Sequence, residues 1–155
     1  MDHAELVSRA ERWLRNAFHC RVVFTELVAY TMSGETPDAI GWVNNCAILV
    51  ECKKSVSDFY ADLKKMSRYS YMPALGVWRF YLTPPNLLRN NTLPLGWGLY
   101  EVQGKRIIYI KGNKYANAEK PPFSSDINSE KSMLLSALSR IHNQRNPVNK
   151  KEVPV

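Results

Sequence analysis

The sequence predicts a three-layer α/β domain, a central mixed β-sheet flanked by helices. Helix-period stretches alternate with short runs rich in β-branched and aromatic residues, in the order helix, three strands, helix, further strands, helix. The third strand, Cys46 to Lys53, is apolar on both faces until Glu51, which places it centrally in the sheet. A chain of 155 residues is long enough to enclose one core of its own.

Residues 2–18 set Leu6, Ala10, Trp13, Leu14 and Phe18 at helical spacing. Arg21 to Tyr30 reads as the first strand. The turn-forming stretch Ser33-Gly34-Glu35-Thr36-Pro37 leads into the second, Asp38 to Val43, and Asn44-Asn45 turns the chain into the third. Ser55-Val56-Ser57-Asp58 offers N-cap candidates, Ser55 foremost, for a helix reaching about Tyr71. Phe59, Leu63 and Met66 form its buried stripe, and Pro73 and Gly76 end it. Strands follow at Val77 to Leu82, Gly98 to Val102 and Arg106 to Ile110, the last two joined by a hairpin at Gln103-Gly104-Lys105. Residues 111–126 read as a polar loop. Ser129 to His142 reads as a final amphipathic helix with Met133, Leu134, Leu138 and Ile141 apolar. Without an internal repeat or a linker, the chain reads as one domain over residues 1–145 and a flexible basic tail over 146–155.

No apolar run approaches the ~20 residues that cross a membrane, and the acidic, polar start does not read as a signal peptide. A cytoplasmic location is the default expectation. Cys20, Cys46 and Cys52 are odd in number and lack C-x-x-C spacing, so free thiols are expected. His3, His19 and His142 are scattered and suggest no zinc site. The net charge of +7 favours a polyanionic partner, DNA first with RNA left open, although basic proteins without such a partner are common.

Two short motifs carry chemistry: Pro37-Asp38, and Glu51-Cys52-Lys53 thirteen positions later. Residues i and i+2 of a strand face the same side, so Glu51 and Lys53 project together from the end of a buried strand, where charges need a partner or a metal. A neighbouring strand that begins at Asp38 brings a second carboxylate to the same place. Two carboxylates with backbone carbonyls and water make a hard oxygen site suited to Mg²⁺ or Mn²⁺. Such an ion activates water and offsets charge at phosphorus, and a lysine beside it orients the attacking water. That is the minimal kit for phosphodiester hydrolysis.

In this order of elements the motifs resemble the PD-(D/E)XK, or restriction-endonuclease-like, nuclease superfamily over residues 2–102. The run Val50 to Lys64, followed by Tyr69, Phe80-Tyr81-Leu82-Thr83-Pro84 and Leu95-Gly96-Trp97-Gly98-Leu99-Tyr100, is similar to the MmcB-like DNA-repair proteins. The resemblance implies a metal-dependent nuclease acting on DNA, in repair or processing. It makes Asp38 and Glu51 the metal carboxylates, the Cys52 carbonyl a backbone ligand and Lys53 the catalytic lysine. Glu26 matches the auxiliary acid of many members and equally suits a solvated strand position.

Lys54, Lys64, Lys65, Arg68 and Tyr69 form a candidate nucleic-acid surface, with Arg140, Arg145, Lys150 and Lys151 as an extension. Asp58, Asp62, Lys64 and Lys65 suit a solvated helix face or ion-pair network and, because their helix starts directly after the motif strand, equally suit contact with the metal site or a DNA phosphate. Trp13, Trp42, Trp78 and Trp97 belong to the core or its rim. Two other function classes stay open: a nucleic-acid binder without turnover, and an interaction protein whose basic face meets an acidic partner. A homodimer is common among nuclease folds of this kind and is what a double-strand cut by single-site subunits would need, and no interface signal decides it.

Overall fold

In a computed structural model, residues 1–26, 35–65, 68–69, 73–116 and 120–146 are described. Helix α1 (His3–Asn16) starts at Asp2, whose carboxylate accepts the Glu5 backbone N–H at 2.8 Å. That bond satisfies one of the donors left open at a helix start. Leu6, Val7, Ala10 and Leu14 bury one face of α1. Strands β1 (Val22–Thr25), β2 (Ala39–Val43) and β3 (Cys46–Cys52) form an antiparallel meander. Asn44 and Asn45 turn β2 into β3 with φ of 50° and 63°, the left-handed pair that matches strand twist and that Asn tolerates.

Helix α2 (Val56–Leu63) follows β3 directly, capped by the Ser55 hydroxyl, which accepts from the Asp58 N–H at 3.1 Å. Strand β4 (Trp78–Thr83) lies parallel to β3, β5 (Gly98–Gln103) parallel to β4, and β6 (Arg106–Gly112) antiparallel to β5. Helix α3 (Ile127–Arg145) closes the described chain. The sheet order is β1-β2-β3-β4-β5-β6, so β3 is internal, as its two-faced apolarity requires.

The sheet separates two apolar layers. Leu6, Leu14 and Phe18 pack with Ile48, Val50, Phe80 and Leu82 on the α1 side. Phe59 of α2 packs with Leu49, Tyr81, Trp97 and Leu99 on the other, and Met133 of α3 with Ile40 and Leu75. Trp78 and Trp97 are buried and Trp13 and Trp42 half-buried, as core and rim residues. The cysteines are free thiols. Among the described residues, no helix is long and apolar enough to cross a membrane.

Several expectations change. β1 is shorter than Arg21 to Tyr30: Glu26 has already left the strand with φ of 51°, and 27–30 lie outside the described residues, as do Met66 and Tyr71. α2 ends at Leu63 instead of continuing as one helix toward residue 71, because Arg68 is needed beneath the sheet end. α3 is longer than Ser129 to His142, and its apolar stripe is only partly used. Met133 is buried, whereas Leu138 and Ile141 are 61% and 46% exposed. The tail expected over 146–155 falls, from 147 onward, outside the described residues.

Candidate active site

Strand register brings the motif residues to one end of the sheet. Thr25 pairs with Ala39 and Ala39 with Val50, so Glu26, Asp38 and Glu51 stand at adjoining strand ends. The Glu26 N–H donates to the Asp38 carbonyl at 3.0 Å, and the Cys52 N–H donates to Asp38 Oδ2 at 2.8 Å. These bonds fix the head of β2 between the tails of β1 and β3. Glu51 and Lys53 follow Leu49 on the α2 side of the sheet, which confirms their shared face. Asp38, Glu51, Cys52 and Lys53 line one cleft of about 380 Å³, together with His3 and Asp62.

Glu51 is 2% exposed. Its Oε2 lies 3.4 Å from Lys53 Nζ and its Oε1 3.1 Å from an Arg68 guanidinium nitrogen. The Arg68 approach lacks hydrogen-bond alignment, so Oε1 is a buried carboxylate oxygen with a charge neighbour and no donor among the described residues. Burial pushes the Glu51 carboxyl up to about 7; Arg68 and Lys53 oppose the rise, and Asp38 and Asp62 add to it. For Lys53, burial favours the neutral amine, yet the carboxylates of Glu51, Asp62 and Asp38 outweigh it and hold the ammonium above its ordinary range. Lys53 is therefore a cation at neutral pH.

Beneath the motif lies a second tier that sequence reading did not find. Asp62 is 2% exposed and receives Arg68 Nε at 2.6 Å, a second Arg68 nitrogen at 2.8 Å and the Tyr81 hydroxyl at 2.8 Å. Its Oδ1 also stands 3.1 Å from Lys53 Nζ. Burial disfavours the Asp62 anion, but the bonds and charge of Arg68, with Lys53 and Tyr81, more than offset this and hold the carboxyl well below its usual range. Glu35 accepts from Arg68 at 3.3 Å and from the Leu75 N–H at 3.2 Å.

Arg68 is a correction. It is 1% exposed and clamped by Asp62, Glu35 and Glu51, so it cannot contact a nucleic acid. Of the two readings open for Asp62, the solvated face is excluded: it is buried, where it neutralises Arg68 and Lys53. Lys54, Lys64, Lys65 and Tyr69 are exposed near the same helix and stay available to solvent, with Tyr69 donating to the Leu63 carbonyl at 2.6 Å. Arg140 and Arg145 are exposed on α3, while Lys150 and Lys151 lie outside the described residues.

His3, which spacing in sequence set aside, stands at the mouth of the cleft. Its Nε2 lies 3.3 Å from Glu26 Oε1 and 3.4 Å from Asp38 Oδ1. A tyrosine or histidine signal could not have revealed this, since only the packing of α1 against β1 and β2 brings residue 3 to residue 38.

No family model and no curated protein matches the chain. Among solved structures, it is similar to SPO1766, a protein of unknown function from Silicibacter pomeroyi. The identity is 20%, the match covers 99% of each chain and the TM-score is 0.61. That likeness extends to the fold of the whole chain and stops there.

Proposed function

We propose that the protein is a divalent-metal-dependent nuclease of the PD-(D/E)XK type that hydrolyses phosphodiester bonds in DNA. The observation that carries the reading is the meeting of Asp38, Glu51 and Lys53 in one cleft, with Glu51 buried and its Oε1 without a donor among the described residues. A buried carboxylate raised by its surroundings is a group that a dication would hold ionised. Asp38, Glu51, the Cys52 carbonyl and Glu26 form an oxygen-rich set of the kind Mg²⁺ and Mn²⁺ take up. When bound, the ion supplies Lewis-acid activation of phosphate and water. Lys53, held cationic, offsets charge developing at phosphorus and orients water; it does not accept the proton. Exposed Lys54, Lys64, Lys65 and Tyr69 supply phosphate contacts and a stacking ring. A cytoplasmic location and a part in DNA repair or processing belong to the same reading.

One observation favours a second reading, a nucleic-acid-binding or protein-interaction module without turnover. Lys53 is already paired with Asp62 and Glu51, and Arg68 stands against Glu51, so the buried cluster neutralises itself. Incubating labelled duplex, single-stranded and branched DNAs, and RNAs, with Mn²⁺, Mg²⁺ or EDTA separates the two. Metal-dependent cutting, abolished by EDTA, supports the nuclease and names its nucleic acid. Salt-sensitive binding without cutting supports the second reading.

A further inference from the structure

We propose that Arg9, Arg12 and Lys105 form a second anchor for the phosphate backbone of a nucleic-acid strand. It stands at the sheet end that holds the cleft, but on the α1 side of the sheet. The proposal rests on the reading that the cleft acts on a nucleic acid, and it gives a stretch of backbone outside the cut site its own place on the protein.

Arg9, Arg12, Asn16 and Lys105 line a depression of about 240 Å³ walled by Trp13 and Ile107. No carboxylate lines it, and among the described residues none of its three cations has an ion-pair partner. Arg15, by contrast, is held by Glu11 at 3.3 Å. Arg12 and Lys105 are exposed and Arg9 is half-buried. The two elements that supply the cations are fixed independently. Trp13 packs on Tyr100 with ring centroids 4.7 Å apart and on Phe80 at 6.0 Å, which seats α1 on β4 and β5. Gly104, with φ of 58°, turns the β5–β6 hairpin that carries Lys105. Like charges gathered in one concavity repel each other until an anion enters, and each guanidinium presents a planar fork of donors that fits phosphate oxygens. The C-terminal end of α1 carries about half a negative charge, which the three formal positive charges outweigh.

The place of the depression favours a nucleic-acid strand over an acidic protein. Strands β3, β4 and β5 run parallel, so the tail of β5 and its hairpin stand at the same sheet end as Glu51 and Lys53. The three strand spacings from β3 to β6 cover roughly 14 Å. Helix α1 spans the same interval: His3 lines the cleft, and Arg9 and Arg12 follow at about 9 Å and 14 Å along the axis. At about 3.4 Å of axial rise per nucleotide of one strand, these lengths correspond to about three to four nucleotides. A strand held in the cleft and passing over the sheet end therefore brings its own phosphates to Arg9, Arg12 and Lys105.

The test is binding of the full chain, in EDTA and over a series of salt concentrations, to labelled duplex and single-stranded DNA long enough to span cleft and depression. Arg12→Gln and Lys105→Gln are each expected to reduce the salt slope of affinity by about one, so that a variant equal to the native chain near 1 M salt binds about tenfold more weakly near 0.1 M. Arg12→Lys and Lys105→Arg are expected to retain the native slope. Arg21→Gln, ahead of β1 at the opposite end of the sheet, is expected to leave it unchanged. Equal melting temperatures establish that the variants fold. A native slope in both Gln variants, or an equal loss in Arg21→Gln, overturns the proposal. So does weaker binding of the variants to polyglutamate with DNA binding intact, in favour of an acidic protein partner. Cleavage is read separately. A native chain that cuts no substrate while both Gln variants lose slope overturns the nuclease and keeps the anchor; native cutting with unchanged slopes does the reverse.

Discussion

Lys53 Nζ lies 3.1 Å from Asp62 Oδ1, a pairing that ties the last motif residue, just beyond β3, to the buried side of α2. Asp62 in turn takes two guanidinium nitrogens of Arg68 and the Tyr81 hydroxyl. The lysine of the motif is thus positioned by an acid eleven residues away from Glu51, and the acid by an arginine beyond the helix.

Asp62→Asn keeps the shape and removes the charge that Arg68 and Lys53 face. Breaking a buried ion network in this way costs about 3–5 kcal/mol, and thermal unfolding measures it. The pH dependence has a definite sign. The Asp62 carboxyl is depressed, so its contribution is fully present above its ordinary 3.8 and is lost as pH falls below that value. Acid titration of stability is expected to show that loss in the native chain and to flatten in the variant.

Glu51 has the opposite sign. Its carboxyl is raised from 4.5 to about 7, so stability is fully retained below 4.5 and declines as pH rises through 7. Glu51→Gln mimics the protonated form. In EDTA the variant and native chains are expected to unfold alike near pH 4, and the variant to be the more stable at pH 8, by an amount on the order of 3 kcal/mol. Chemical denaturation at the two pH values checks this; equal stability at pH 8 contradicts it.

Arg68 and the exposed lysines separate structure from binding. Arg68→Ala leaves Asp62, Glu35 and Glu51 buried without their shared cation and is expected to cost about 3–5 kcal/mol. Lys54→Ala and Lys64→Ala are expected to leave unfolding unchanged. Each lowers the salt slope of nucleic-acid affinity by about one, as loss of one phosphate contact does.

On α3 the buried and exposed apolar residues are told apart by truncation. Met133→Ala is expected to cost about 2–5 kcal/mol. Leu138→Ser and Ile141→Ser, at exposed positions, are expected to stay within about 0.5 kcal/mol. Urea midpoints of the three variants give the comparison.

Much of this was legible in the residues themselves. Alternation and composition located the strands, Asn44-Asn45 and Gly104 their turns, and Ser55 the start of α2, because each is a local signal. The i, i+2 spacing put Glu51 and Lys53 on one face for the same reason. What escaped is non-local. Helical spacing carried α2 too far, since nothing in the sequence says that Arg68 pairs back on Asp62 and crosses to Glu35, 33 positions earlier. Along the sequence Asp62 suits a solvated helix face and a functional contact alike, and Arg68 a phosphate contact, because spacing along a helix does not report which charges turn inward. His3 joins Asp38 through the docking of a helix on a sheet edge, which periodicity cannot report.

The most direct measurement is single-turnover cleavage, on the best substrate found with Mn²⁺ present, by the native chain, Asp38→Asn, Lys53→Ala and the double variant. If the three motif residues act as one unit, each single change is expected to slow cutting by about 10²–10³-fold or more, with the double variant little slower than either. Variants that cut at the native rate, or a native chain that cuts no substrate in any metal, would contradict the assignment of Asp38, Glu51 and Lys53 as a nuclease centre.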